Sequence, residues 1–163
     1  MPTQILARTE RFERLVGQFY MYWSAFDFAV DFAIGYFLKT PPEVAHLMTA
    51  GMDFHRKARL LSALIKRSTH PKKAQLQGAL RKGQNESKRN IFAHSFWYSS
   101  ATAVTFVERT RQGDLTAIEH RYTEIQFKTH LAAFKAAALE FETSIAPRQE
   151  LVDFAQALVP SLH

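Results

Sequence analysis

No cysteine occurs among the 163 residues, which removes disulfides, thiol nucleophiles and thiolate metal sites together and fits a reducing compartment. Any chemistry must use oxygen and nitrogen groups. Also missing is a run of the about 18 apolar residues that a membrane span needs, because Asp27, Asp31 and Lys39 interrupt the most hydrophobic stretch. The chain is expected to be soluble, with no membrane partner. The opening residues, Met1-Pro2-Thr3-Gln4-Ile5-Leu6, lack the basic-then-apolar layout of a secretory signal, so a cytoplasmic location is expected. Gly83-Gln84-Asn85 has neither the glycine spacing nor the Lys-Ser/Thr pair of a phosphate cradle, and no serine-centred nucleophile elbow is present. His46, His55, His70, His120 and His130 show no short metal-ligand spacing, which points to surface or capping roles, and neither a metal nor a cofactor is expected.

What is present is bulky and basic. Fourteen Phe, five Tyr and two Trp supply core material and exclude compositional disorder. A formal charge of +6 and a pI near 9.7 favour an anionic partner such as nucleic acid. The length suits one domain spanning 1–163, with a helical core over about 10–145 and a tail over 146–163.

From Phe12 the apolar positions Leu15, Val16, Phe19, Tyr22, Trp23, Phe26, Val30, Ala33 and Phe37 keep the three-and-four spacing of one helical face. This predicts a long first helix that stops near Lys39-Thr40-Pro41-Pro42. A short helix over 43–50 should end at Gly51. Asp53 is placed to cap the next, which buries Phe54, Ala58, Leu61 and Leu64. A further helix is expected from Pro71 to His94. The β-rich runs Val104 to Arg109 and Leu115 to His120 predict a hairpin around Gly113. Thr123 then caps a helix to about Ser144, with Ile125, Leu131, Phe134, Ala138 and Phe141 inward, and the tail is expected to dock as a short helix. The fold class is therefore mainly α: an up-and-down bundle of about four principal helices with a β-hairpin inserted before the last long one.

On the helix predicted from Pro71, the inward stripe of Leu76 and Leu80 continues through Gly83, Ser87, Asn90 and His94. An apolar face that turns polar needs partners, since an unpaired buried polar group costs about 1 to 3 kcal/mol. Asn90 and His94 lie four apart, about 40° around a helix, so the amide can orient the imidazole; Arg89 and His94 lie about 140° apart and converge poorly within one chain. A two-fold pairing of such helices would gather both residues from two subunits into one cleft, which makes a homodimer the expected partner. RNA suits the chemistry, because its 2′-hydroxyl is an internal nucleophile. His94 would act as general base and Arg89 as phosphate clamp, without a metal.

Arg89-Asn90-Ile91-Phe92-Ala93-His94 resembles the Arg-Asn-x-x-x-His motif of the HEPN superfamily, helical bundles that include metal-independent RNases, toxin components and inactive relatives. The aromatic first helix around Trp23-Ser24-Ala25-Phe26-Asp27 is similar to that of small bacterial members, which often carry an acidic residue there. The resemblance implies a metal-independent endoribonuclease, a toxin or defence component with an antitoxin or other protein partner; alternatively it implies an inactive bundle that binds RNA, a nucleotide or a protein. It implies catalytic roles for Arg89, Asn90 and His94, with Asp27 in support, and the polar stripe adds Ser87 as a supporting residue. The toxin branch whose motif continues His-x-Tyr is not matched, because this chain reads His94-Ser95-Phe96.

Lys66, Arg67, Lys72, Lys73, Arg81, Lys82 and Lys88 lead towards Arg89; Arg81, Lys82 and Lys88 are the candidate RNA contacts, joined by Trp97 as a base-stacking ring. The plainer alternatives are a solvated basic face, core packing for Trp97 and Tyr98, and an Arg89 paired with Glu86. Asp27 and Asp31, four apart, read as a solvated edge rather than a cation site.

Overall fold

The computed structural model describes residues 2–109 and 117–159, with side chains over 10–92, 95–108 and 117–159. The chain is mainly α, with a small antiparallel sheet ahead of the last long helix. The elements are α1 (Pro2–Leu38), α2 (Pro42–Thr49), α3 (Phe54–Arg67), α4 (Lys73–Ser87), α5 (Arg89–His94), β1 (Phe96–Ser99), β2 (Ala103–Arg109), β3 (Ala117–Thr123), α6 (Glu124–Ile145) and α7 (Arg148–Ala157). The tip of the expected hairpin, 110–116, lies outside the described residues, as do 160–163 of the tail. Two compact units divide the residues: one holds α1 up to Trp23 and Gln84–Lys135, the other Ser24–Gly83 and Ala136 onward.

In the second unit, segments of the four principal helices meet at Phe26. Its ring lies 5.6 Å from that of Phe54 on α3 and 5.4 Å from that of Phe141 on α6. On α4, a Cβ added at Gly83 would fall 2.8 Å from Phe26 Cε2, so only glycine lets this helix approach. The stop of α1 is a left-handed turn: Lys39 has φ 54°, its N–H donates to Tyr36 O and that of Thr40 to Gly35 O. That is the paired closure usually supplied by glycine. Asp53 caps α3 as expected, accepting from the Arg56 N–H at 2.9 Å. Ile65, rather than Leu64, fills the last inward position of α3. The tail docks as α7 with Phe154 buried, its ring 5.3 Å from Phe32 and 5.6 Å from Phe28.

In the first unit the core is a knot of aromatic rings around Phe92. It is fully buried, with ring centroids at 4.9 Å to Phe19, 4.7 Å to Phe106 and 5.4 Å to Phe127. Thr123 and Gln126 form the reciprocal cap that starts α6: the Gln126 N–H donates to Thr123 Oγ1 at 3.3 Å, and the Thr123 N–H to Gln126 Oε1 at 2.9 Å. Phe127 takes the inward place expected of Ile125, which is 78% exposed. The sheet has one strand more than the expected hairpin. β1 runs antiparallel to β2 with Phe96 opposite Val107, and β2 to β3 with Phe106 opposite His120. Its four residues gave too short a run to announce a strand.

The helix expected over 71–94 is two helices. α4 ends at Ser87, Lys88 turns left-handed with φ 40° and ψ 39°, and α5 restarts at Arg89. In an unbroken helix Phe92 would sit about 140° from the stripe that carries Ser87. The break turns Phe92 into the core instead. A left-handed non-glycine residue costs about 1 to 2 kcal/mol, whereas burying a phenylalanine side chain contributes about 2 to 3 kcal/mol before its ring contacts are counted. Burial wins that contest narrowly, and the apolar residue of the segment takes the place expected for its polar ones.

Candidate functional site

Within the first unit, the Lys88 turn carries Arg89 and Asn90 out of the expected stripe. Ser87 is still buried, and its hydroxyl donates to Gln84 O at 2.9 Å, so it is satisfied locally. Asn90 is exposed and is not part of a buried stripe. The Lys88 carbonyl accepts from the Ile91 and Phe92 N–H groups, which anchors α5 directly to the turn. At the far end of α5, Tyr20 on α1 donates its phenol O–H to the Phe92 carbonyl at 2.9 Å, meeting one of the carbonyls that a helix end leaves open.

Arg89 is half-buried. Its guanidinium carbon lies 5.4 Å from the centre of the Trp23 ring, a cation–π arrangement. Nε is buried with no hydrogen-bond partner, and among the described residues no carboxylate pairs with this arginine; the ion pair with Glu86 is not formed. Lys88 is also free of acidic partners among the described residues and sits 5.7 Å from the Tyr122 ring. His94 closes α5 in the backbone, but its side chain lies outside the described residues. Trp97 follows on β1, half-buried.

The remaining predicted residues belong to the second unit. Arg81 is exposed, and Lys82 pairs with Glu140 at 3.3 Å on the surface. Asp27 and Asp31 are no solvated edge. They bracket Lys57, which is only 6% exposed, with Nζ 3.2 Å from Asp27 Oδ1 and 2.9 Å from Asp31 Oδ2. Lys57 is one turn into α3 and reaches inward because two carboxylates await it; its sequence position gave no sign of this. Burial pushes the Asp31 carboxyl above its usual range, against the opposing pull of the Lys57 hydrogen bond and charge. Lys57 thus bridges the two carboxylates, while Asp31 Oδ1 is buried without a hydrogen-bond partner.

His130, expected at the surface or in a cap, is buried instead. It sits on α6 with its ring 5.0 Å from that of Phe92, and Nε2 is buried without a partner. Burial lowers its pKa to about 4, and the Lys88 charge pushes the same way. The imidazole is therefore neutral at pH 7. Phe127, Leu131 and Phe134 bracket this position at helical spacing, and that inward face was the available sequence signal.

The arrangement can hold an anion. An arginine fixed by a tryptophan face, beside a lysine and an exposed amide, with no acidic partner for either cation among the described residues, offers a planar donor set that suits phosphate oxygens. No family model, curated protein or solved structure matches the chain.

Proposed function

We propose that this protein is a cytoplasmic, metal-independent endoribonuclease of the HEPN type, working as a homodimer and serving as a toxin or defence component under the control of a protein partner. The observation that carries the reading is Arg89: a half-buried guanidinium held against Trp23 with no carboxylate to neutralise it among the described residues. A purely structural arginine at such a position is normally paired, because a buried charge without compensation is costly. The strained backbone of Lys88 beside it supports the same reading, since such outliers gather at sites.

In this mechanism Arg89 holds the scissile phosphate and His94 takes the proton of the 2′-hydroxyl. The 2′-oxygen bonds to phosphorus and the 5′-oxygen leaves with a proton, giving a 2′,3′-cyclic phosphate and a 5′-hydroxyl. Asn90 orients the imidazole. Because Arg89 and His94 lie about 140° apart on α5, the clamp and the base of one site come from two subunits. Purified protein is incubated with mixed RNAs in the presence of a chelator. Cleavage by the wild type that is lost in His94→Ala supports the reading; equal cleavage by both, or none by either, removes the enzymatic claim. The exposure of Asn90 favours a second reading, in which the same segment binds RNA without cutting it. Salt-sensitive RNA binding by an inactive wild type, weakened by Arg89→Ala, would identify that case.

A further inference from the structure

Arg11, Arg14 and Tyr22 recur on one face of α1, and Glu124, Lys128 and Lys135 on one face of α6. In the first unit these two rows line one open groove of about 640 Å³. Four cations against one carboxylate leave an excess of three positive charges. Glu124 is already shared, with Lys128 Nζ at 2.5 Å and Arg11 Nη1 at 3.9 Å. Arg14 and Lys135 have no acidic partner among the described residues, and Lys135 lies 5.3 Å from the Tyr22 ring. Like charges gathered along a groove repel unless an anion lies between them. An aromatic ring set among the cations suits an anion that alternates charged groups with flat rings.

We propose that this groove is a track for single-stranded nucleic acid, in which Arg14, Lys128 and Lys135 each meet a backbone phosphate and Tyr22 stacks a base. Tyr22 follows Arg11 by eleven positions on α1, about 16 Å at helical rise, so the track takes a short run of nucleotides rather than one. Lys135, which rests on the Tyr22 ring, swings to the neighbouring phosphate when a base takes its place. None of these residues belongs to the Arg89 segment, so the track stands whether or not that segment cleaves RNA.

The test uses the full chain and fluorescence anisotropy with labelled oligouridylate and oligothymidylate of equal length. Both strands are expected to bind. The triple variant Arg14→Gln, Lys128→Gln, Lys135→Gln is expected to weaken both about tenfold or more. It should also lower the slope of log Kd against log salt by about 2, since each phosphate contact on a single strand contributes about 0.7. All three positions are exposed, so the fold is kept, as thermal unfolding would verify. Tyr22→Ala is expected to cost about fivefold or more, the lower end of what one stacked base contributes, while Tyr22→Phe binds like the parent. Uridine monophosphate binding as tightly as the strands would make the groove a small-ligand pocket and overturn the proposal. So would parental binding by the triple variant, or a loss of binding confined to Arg89→Ala, which would place the strand at α5. Cleavage lost in His94→Ala with binding intact leaves the track standing.

Discussion

Acidification from pH 7 to pH 5 should destabilise this protein through His130. Its side chain is 8% exposed, packed among the rings of Phe92, Tyr122 and Phe127, and its pKa falls from 6.5 to about 4 through burial and then the Lys88 charge. A depressed folded pKa means that the unfolded chain binds the proton first, so stability is full above 6.5 and declines as the pH falls towards 4. At pH 5 the unfolded imidazole is almost wholly protonated and the folded one only about a tenth, a difference of about 2 kcal/mol. Asp31 and Glu142, whose carboxyl pKa values burial raises, drift the opposite way, but they do so equally in a variant. Urea unfolding followed by tryptophan fluorescence at pH 7, 6 and 5 would compare wild type with His130→Leu. The wild type should lose about 2 kcal/mol more than the variant over that range. Parallel losses would refute the claim that the imidazole is buried and neutral.

Three further substitutions probe the backbone and the buried charge. Lys57→Ala strands Asp31 beside Asp27 and should cost about 3 kcal/mol at pH 7, the lower end for breaking a buried pair because Asp27 is a third exposed. The deficit should shrink in thermal melts as the pH falls and Asp31 takes a proton, and a deficit that stayed constant with pH would contradict the assignment. Lys39→Gly and Lys88→Gly each relieve a left-handed non-glycine residue and should each raise stability by about 1 kcal/mol in urea titrations. For Lys88→Gly the same measurement also tests whether α5 is truly hinged at that residue.

Much of the architecture was legible because it follows from periodicity and punctuation. The Phe12 to Phe37 stripe, the Pro41-Pro42 stop, the Asp53 and Thr123 caps and the β-rich runs before α6 all appear in the molecule. What escaped was decided by tertiary contacts. β1 is four residues long and is defined by its pairing with β2, not by its composition. Lys57 reads as a surface lysine until Asp27 and Asp31 are seen to face it. His130 reads as one polar residue on an otherwise apolar face, and only its neighbours show that its ring is treated as an aromatic. In the candidate site, Arg89 was singled out by its motif, whereas the group it lies against is the Trp23 ring rather than Glu86.

The misplacement of Asn90 has the most instructive cause. Lysine and asparagine are ordinary enough in helices that nothing at Lys88 signals a break, and the polar stripe through Ser87, Asn90 and His94 is a regular helical series. Helical regularity, however, carries no energy of its own. Keeping the helix straight would bury an amide at Asn90 that needs a partner, at about 1 to 3 kcal/mol, and would leave the Phe92 ring outside its cluster. Breaking it at Lys88 costs about 1 to 2 kcal/mol and gains both terms. Only the residue between the polar motif positions decides the matter, since Phe92 is the one that must go inward. The turn that seats it also swings Arg89 away from α4, where Glu86 lies, and onto the Trp23 ring. The guanidinium left without a carboxylate among the described residues, on which the proposed phosphate site depends, is therefore a by-product of where a phenylalanine is buried.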